Sequence, residues 1–446
     1  MEKHAGFHGN TNHTFPEDKM KTHIRFHRTL FVGLLMLVLA VILLSSMPID
    51  QLRAEAPQPA ATPTPRTVKM QPVVAKLKAL IEKNGWQEMF EQAIKNAHRY
   101  NVPRIKHIRN LDDYLTYING ILEWIPSETE SGREIYFRIC EFYFILDQEP
   151  VKGLQNKINP KDQSPQLTPL SAWMVEYAKA WGEFLDTAES LTQESLRSFY
   201  ESPRFNMREY MPDPGGWKTF NQLFARHVKP GMRPIAALSD DTVIVSPADS
   251  TFVGWWQINE DSKITVKNLQ WSVLELLEGS PYRDRFKGGI FTHSFLNTTD
   301  YHRLHVPVGG IVLESRVIHG QVYLDVQAVP VEGTDEYRVE GVRELDAQDA
   351  TGYQFAQTRG LIVLDTSIGL VAVLPIGMAQ VSSVVMTAEV GKKLHKGEEF
   401  AYFQFGGSDH IVMFEAASMV NLTAQPDVHY NQGAVIGKAY PCCTQR

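Results

Sequence analysis

The sequence has few cysteines and no excess of positive charge, and each deficit excludes a class of protein. Its three cysteines, Cys140, Cys442 and Cys443, form neither a zinc-binding spacing nor a disulfide framework. The formal net charge is -7, which argues against a general nucleic-acid-binding protein because such proteins carry a basic patch. We therefore expect no nucleic-acid partner and no metal site.

The sequence also lacks a hydrolase-type elbow around its most suggestive serine. Ser408 follows a glycine pair between two strand-like runs, but the second glycine of a Gly-x-Ser-x-Gly elbow is missing. Taken alone, Gly-Gly-Ser-Asp is ordinary turn chemistry. Gly407 has no side chain to shield its carbonyl, so the Ser408 hydroxyl can approach it. This arrangement suits self-cleavage between residues 407 and 408 better than hydrolysis of an external substrate.

The N-terminal region is predicted to contain a disordered polar tail (1–28), an uncharged apolar segment (29–49) and a linker rich in Pro, Ala and Thr (50–72). The apolar segment is long enough to cross a bilayer and follows several basic residues, which favours a membrane anchor. The alternative is a secretory signal over 29–56, because Ala54-Glu55-Ala56 has the small-x-small cleavage pattern. The protein is thus expected to be membrane-associated, or exported if the signal is cut.

Residues 73–200 are predicted to form a helical accessory domain, because apolar residues recur there at helical spacing. The strongly aromatic stretch Glu134–Leu146 predicts a buried helix. A later stripe at spacing four, Trp173, Tyr177 and Trp181, is typical of core packing. No catalytic constellation is visible in this region.

Residues 201–446 are predicted to form a β-rich catalytic domain of the sandwich or barrel type, so the fold class is α+β. Short β-branched runs separated by Gly, Asp and Pro indicate strands. One helical pattern interrupts them, near Leu269–Leu277. The predicted strands include Thr242–Val245, Gly310–Leu313, Gln321–Val326, Leu361–Leu364, Leu370–Leu374 and Val381–Ala388.

Four polar residues, at three places within this apolar sequence, are candidates for chemistry. Asp249 follows a strand-like run, His302 and His305 lie three residues apart, and Ser408 comes last. Asp, His and Ser can form a set of orienter, base and nucleophile. Each position also has a structural explanation, the aspartate in a turn and the histidines in the core.

Five ordered motifs over residues 217–415 together resemble the phosphatidylserine decarboxylase family. The helical region before them is similar, by its general texture, to the accessory domain of a branch that includes fungal aromatic amino-acid decarboxylases. The motifs are Lys218-Thr219-Phe220-Asn221 with Phe224-x-Arg226, Lys229-Pro230-Gly231-x-Arg233-Pro234, Ser246-Pro247-Ala248-Asp249, Asp300-Tyr301-His302-Arg303-x-His305-x-Pro307, and Lys396-Gly397-Glu398-Glu399 before Phe403-x-Phe405-Gly406-Gly407-Ser408.

The resemblance implies a covalent pyruvoyl cofactor that the chain makes from Ser408. The serine would attack the Gly407 carbonyl to form an ester, elimination would release residues 1–407, and hydrolysis would leave ammonia and a pyruvoyl group on a small subunit, 408–446. Asp249 and His305 are then implied to be the orienter and the base. His302 is implied to lie near the carbon that loses CO2.

The leading functional hypothesis is conversion of phosphatidylserine to phosphatidylethanolamine with release of CO2. One alternative is a decarboxylase of a free, aromatic L-amino acid, and another is an uncleaved, non-catalytic, membrane-tethered binding protein. Two residues depart from the family pattern: Asp409 stands where Thr or Ser is usual, and Ser250 replaces a common glycine. A charge beside the scissile bond is expected to slow maturation or to alter substrate contacts.

Overall fold

The computed structural model describes residues 69–158, 166–259, 263–266, 269–341, 356–377, 383–405 and 408–441. The predicted tail, apolar segment and most of the linker lie outside the described residues, and so do Gly406 and Gly407. Of the helices in the described part of the chain, none combines the length and apolarity needed to cross a bilayer.

The N-terminal half is helical, and its longest helix begins at a well-formed cap. Thr168 accepts a hydrogen bond from the backbone N–H of Ser171 at 3.2 Å, and Pro169 occupies the first helical position. The helices are α1 (Pro72–Asn84), α2 (Gln87–Ala97), α3 (Leu111–Ile121), α4 (Glu134–Leu146), α5 (Pro169–Leu185), α6 (Gln193–Glu201), α7 (Phe220–Phe224) and α8 (Val273–Leu276).

The aromatic stripe of α5 lies in the core, as its spacing predicts. Trp173, Tyr177 and Trp181 are all fully buried. Two of the three also use their polar atoms: Trp173 Nε1 donates to the Val73 carbonyl at 2.8 Å, and Tyr177 Oη donates to the Ile118 carbonyl at 2.6 Å. These bonds attach α5 to α1 and α3, because a buried aromatic needs a partner for its polar end.

The C-terminal half is built around an eight-stranded antiparallel sheet in the order β15-β9-β12-β13-β17-β7-β4-β19. Two three-stranded sheets, β14-β16-β8 and β18-β20-β3, and three strand pairs complete it. The strands are β1 (Tyr210–Met211), β2 (His227–Val228), β3 (Val243–Val245), β4 (Ser250–Gln257), β5 (Lys263–Val266), β6 (Leu269–Ser272), β7 (Ile290–Leu296), β8 (Arg303–His305), β9 (Gly310–Ile318), β10 (Val326–Pro330), β11 (Tyr337–Gly341), β12 (Arg359–Thr366), β13 (Gly369–Gly377), β14 (Val384–Met386), β15 (Lys393–Leu394), β16 (Glu399–Phe403), β17 (Ser408–Phe414), β18 (Val420–Leu422), β19 (His429–Tyr430) and β20 (Val435–Ala439).

Strand β17 lies inside the large sheet, and both of its faces are buried. Successive side chains of a strand point to opposite faces. Val412 and Phe414 belong to one hydrophobic cluster, and Ile411 and Met413 belong to another. Ser408 and His410 therefore share the face of Val412, whereas Asp409 lies on the opposite face.

Most predicted strands are present, and two local expectations are wrong. The run predicted as a strand over Gln321–Val326 is irregular until β10 begins at Val326, because Val322, Tyr323 and Leu324 pack on the helical core instead of a sheet. The pattern near Leu269–Leu277 splits into a strand and a single turn of helix. The α+β class is confirmed.

The helical and β-rich halves share one hydrophobic core. Phe405 and Tyr301, both from the β-rich half, belong to the same buried cluster as the helices. Residues Lys69–Arg446 accordingly form a single compact unit. The helical region is thus part of the framework that holds the β-rich region, and its predicted boundary at residue 200 stays a prediction.

Candidate functional site

Ser408 is the first residue of β17 and is held by strands on both sides. It pairs with Gly377 of β13 and with Leu296 of β7. Its side chain is fully buried, and its hydroxyl has no hydrogen-bond partner among the described residues. A buried, unpaired hydroxyl is unusual and calls for a functional explanation. It fits the precursor of a pyruvoyl group, although Gly407 itself lies outside the described residues.

The chain just before the scissile segment is fixed by the helical half. The Asn221 side-chain oxygen accepts a hydrogen bond from the Phe405 backbone N–H at 3.1 Å. The Phe405 ring lies against Trp181, with 5.0 Å between ring centroids, and against Phe220 at 5.4 Å. Thr219 caps α7 and so sets where Asn221 points. The Thr-Phe-Asn part of the first motif thus positions the segment that precedes Ser408.

His302 lies in an aromatic environment that the same motif supplies. Its ring is fully buried, with its centroid 4.0 Å from that of Phe224. Arg226 is also buried, and its Nη2 donates to the carbonyls of Thr299 and Asp300 at 2.6 and 3.1 Å. Arg226 therefore fixes the turn that leads into His302.

His305 is oriented by a backbone carbonyl and a tyrosine. Its Nδ1 lies 2.8 Å from the Gly397 carbonyl and its Nε2 lies 3.0 Å from Tyr301 Oη. Because a carbonyl only accepts, Nδ1 carries the proton, and Nε2 of the neutral ring accepts from Tyr301. Gly397 has φ +82°, and a Cβ there would meet Ile235 at 2.6 Å, so this position requires glycine.

Burial lowers the pKa of His305 below its usual value, although the hydrogen bond to the Gly397 carbonyl opposes this shift. The imidazole is therefore neutral near pH 7 and can accept a proton at Nε2. This protonation state is the one that a general base requires.

Asp249 is buried and bonded to an arginine. Its carboxylate receives Arg233 Nε at 2.8 Å and Nη2 at 2.6 Å, together with the Gln432 backbone N–H at 2.8 Å. Arg233 Nη1 also contacts Glu209 at 2.8 Å. Burial lowers the pKa of Arg233, but hydrogen bonds and charge from Asp249, and then a hydrogen bond to Glu209, outweigh burial and raise it.

The structure therefore does not bring Asp249 into a direct hydrogen bond with His305, which the expected orienter–base pair would require. The Asp249 carboxylate instead pairs with Arg233, because a bidentate ion pair with a guanidinium is stronger than a hydrogen bond to a neutral imidazole. The Gly397 carbonyl performs the orienting contact at Nδ1. Roles for Asp249, His302, His305 and Ser408 in chemistry stay predictions.

The two departures from the family pattern each meet a buried histidine. Asp409 accepts a hydrogen bond from His293 Nε2 at 2.7 Å, on the sheet face opposite to Ser408. Ser250 Oγ lies 3.0 Å from His410 Nε2, on the Ser408 face. Burial, with a smaller effect from His293, lowers the pKa of His410 to about 3, so this ring is neutral.

Sequence reasoning missed the residues that hold the predicted ones in place. Arg233 and Asn221 lie inside the motifs that carry the family resemblance, and this position was the available signal for a supporting role. The carbonyl of Gly397 gave no such signal, because a backbone contact leaves no trace in residue identity. Tyr301 adjoins His302 in sequence, yet only the fold shows that its hydroxyl contacts His305.

A groove of about 360 Å³ runs between α5 and the β-rich half. Its volume is at the lower end of the range usual for small-molecule sites. Residues of both halves line it, including Gly182, Asp186, Thr358, Gln404 and Phe405.

Comparisons with known proteins agree with this geometry. The family model for phosphatidylserine decarboxylase matches residues 220–438. Phosphatidylserine decarboxylase proenzyme 3 of Schizosaccharomyces pombe is 33% identical over 50% of this chain, but the match spans only 22% of that relative. The phosphatidylserine decarboxylase proenzyme of Fusobacterium nucleatum is 30% identical over 54% of this chain and 73% of its own length. Decarboxylase iboD of Amanita muscaria is 27% identical over 53% of this chain and 74% of its own.

A buried serine that opens an inner strand is what a self-processing proenzyme requires, and the matched relatives are named as decarboxylases or their proenzymes. The chain belongs to the phosphatidylserine decarboxylase family. Proenzymes of this family depend on a pyruvoyl group formed from a serine by self-cleavage, which confirms the predicted kind of cofactor.

The Arg233–Asp249 pair should be essential for stability. Arg233→Leu leaves the 4%-exposed Asp249 side chain without its cation, so we expect the free energy of unfolding to fall by about 3–5 kcal/mol. Adding Asp249→Asn should recover part of the loss, because no buried charge then remains. Both are measured by urea denaturation.

Arg109→Leu is the matched control, since Arg109 pairs with Asp113 but its side chain is 75% exposed. This control should leave the denaturation midpoint unchanged. If Arg233→Leu behaves like Arg109→Leu, Asp249 is not held as a buried charge.

Proposed function

We propose that this chain is a pyruvoyl-dependent decarboxylase that converts phosphatidylserine to phosphatidylethanolamine and CO2 after cleaving itself between Gly407 and Ser408. The observation that carries the proposal is the fully buried Ser408 hydroxyl, unpaired among the described residues, at the start of β17. Its position directly after Gly406-Gly407 lets it attack a carbonyl that no side chain shields. The names of the S. pombe and F. nucleatum relatives support the substrate.

Two histidines of the chain have separate roles, His305 in cleavage and His302 in decarboxylation. His305, neutral and oriented by Gly397, accepts the proton of the attacking hydroxyl at Nε2 once Tyr301 releases its hydrogen bond to that atom. His302, held against Phe224 in an apolar setting, lies beside the carbon that loses CO2 and manages its protonation. The pyruvoyl ketone supplies an electron sink for the pair left when CO2 departs. After cleavage, residues 408–446 stay with the large fragment, because β17 is hydrogen-bonded to β13 and β7.

A free amino acid is the second candidate substrate. Two observations favour it: the groove beside Phe405 has a volume of about 360 Å³, which suits a small molecule, and the relative from A. muscaria is named as a decarboxylase without a lipid substrate. The third candidate, an uncleaved membrane-tethered binding protein, is an outcome of the cleavage test below.

The proposal places the chain at a membrane, through an anchor over residues 29–49. The supporting observation is the uncharged apolar span that follows Lys19, Lys21, Arg25 and Arg28. A cut signal over 29–56 would instead export the protein. Extraction of the expressed protein with alkaline carbonate separates the two, since only an anchored chain stays with the membrane fraction.

Self-cleavage should be visible on a denaturing gel. The wild-type chain is expected to give two fragments that meet at residues 407 and 408, confirmed by intact mass. Ser408→Ala should give one uncleaved chain of 50.6 kDa, because no hydroxyl remains to attack. Ser315→Ala, on β9 of the same sheet, is the control and should cleave normally. An uncleaved wild-type chain that does not react with carbonyl probes contradicts the pyruvoyl model.

The pH dependence of cleavage should follow the lowered pKa of His305. A histidine of ordinary pKa, about 6.5, would lose roughly fourfold of its neutral form between pH 8 and pH 6. Because burial keeps His305 neutral to lower pH, we expect the cleavage rate to fall by less than this fourfold over that interval. The rate is measured on freshly synthesised proenzyme in a cell-free system. A fall of fourfold or more would show that the base titrates normally.

Release of CO2 from two substrates separates the lipid from the amino acid. Cleaved protein is assayed with phosphatidylserine vesicles and with free L-tryptophan, and Ser408→Ala is the blank. Turnover of the vesicles is the expected result. Turnover of tryptophan alone would replace the leading substrate with the second candidate.

A further inference from the structure

The groove beside Phe405 is built from both halves of the molecule, and the helical half supplies one wall. Ala178, Gly182 and Asp186 recur at intervals of four along one side of α5 and its C-terminal cap. Gln404 and Phe405 come from the segment that leads to Ser408. This wall has no role in the chemistry described so far.

Two connections link residues that line the groove to the start of β17. Phe405 lines it and lies three residues before Ser408, a reach of at most about 11 Å. Thr358 lines it as well, and its carbonyl accepts the backbone N–H of Gly377 at 3.0 Å. Gly377 is the direct cross-strand partner of Ser408. The groove is therefore separated from Ser408 by three residues along the chain and by one strand across the sheet.

Gly182 is the residue that keeps the groove open. Glycine in the interior of a helix is destabilising relative to alanine, so its presence in α5 needs an explanation. Close packing does not provide one, because a Cβ at this position would meet no atom within 4 Å. The space beside Gly182 is the groove itself.

The two carboxylates at this end of α5 favour a cation, and Lys179, which also lines the groove, forms no ion pair with Asp186. Asp186 is the C-terminal cap of α5, Glu183 lies in the last turn, and that turn has no basic residue. Carboxylates at the negative end of a helix are unfavourable unless a cation is nearby. Asp186 receives only amide donors, from Asn221 at 3.0 Å and Gln404 at 3.3 Å, and forms no ion pair with any residue in the described ranges.

We propose that this groove receives the α-amino acid part of the substrate as it enters, with Asp186 holding its ammonium group and Gly182 leaving room for the molecule, before the nitrogen loses its proton and reaches the ketone formed from Ser408. A phosphatidylserine head group and a free amino acid share this ammonium and carboxylate. The inference rests on the proposed decarboxylase activity and adds the helical half to its substrate site. A groove of this size holds a head group or an amino acid and leaves acyl chains outside.

The test compares three variants of the cleaved enzyme. Gly182→Leu fills the groove, so KM for whichever substrate is turned over, phosphatidylserine vesicles or L-tryptophan, should rise at least about tenfold. Asp186→Asn keeps the acceptor for Asn221 and Gln404 but removes the charge. Its KM should rise about two- to fivefold, as for an exposed ion pair. Ala180→Leu, on another side of the same helix, is the control and should change neither KM nor kcat. All three should cleave at Ser408 as the wild type does.

Binding gives a second measurement that does not need activity. Glycerophospho-L-serine and L-tryptophan are titrated by calorimetry into the Ser408→Ala proenzyme, with and without each groove substitution. The probe that binds should lose affinity in the Gly182→Leu and Asp186→Asn backgrounds and keep it with Ala180→Leu. Tryptamine and ethanolamine, which lack the carboxylate, report whether the ammonium alone suffices.

Unchanged KM in cleaved Gly182→Leu, together with unchanged affinity when Gly182→Leu is added to the Ser408→Ala proenzyme, would overturn the inference while leaving the decarboxylase assignment intact. If Gly182→Leu does not fold, the KM and the binding affinity of Asp186→Asn test the inference by themselves. A wild-type chain that never cleaves overturns the proposed function instead, and the titrations on the proenzyme still test the groove.

Discussion

A single buried hydroxyl, that of Ser408, constrains the structure around it. Burying such a group without a partner costs about 1–3 kcal/mol, and the described residues provide none. Strand β17 cannot shift to relieve this cost, because it is hydrogen-bonded to β13 and β7 on its two sides. Asn221 holds the chain at Phe405. The described residues on the two sides of the scissile bond, Phe405 and Ser408, are thus both held in place.

That constraint explains why the helical half is joined so closely to the β-rich half. Asn221 and Phe224 of α7 act on Phe405 and His302 respectively. α7 is too short to be stable alone, so it depends on the larger helices for its position. Trp181 of α5 packs on Phe405 directly. A separate accessory domain on a flexible link could not hold these contacts, and one shared core can.

The sequence predicted the kinds of residue at the site better than their contacts. The order of the motifs identified four candidate site residues, namely Asp249, His302, His305 and Ser408. Alternating β-branched runs predicted most of the sheet. The pairing of Asp249 with Arg233 could not be predicted from the sequence. The two residues lie 16 positions apart, and they meet only because the folded loops bring them together. The strand expected at Gln321 failed for a related reason: its apolar residues found partners on the helices, and pattern alone does not say which surface will bury them.

Strand alternation changes the meaning of the two unusual residues. On the sequence, Asp409 is a charge next to the bond that breaks, and its neighbour in the chain is the reacting serine. In the sheet, consecutive side chains point apart, so the carboxylate lies across the sheet from Ser408 and meets His293 instead. Ser250 stands where the family commonly has glycine, and its hydroxyl lies within hydrogen-bond distance of His410 Nε2. Since each departure is matched by a buried histidine, neither places a charge on the face of Ser408, and the slower maturation expected from Asp409 would have to act across the sheet.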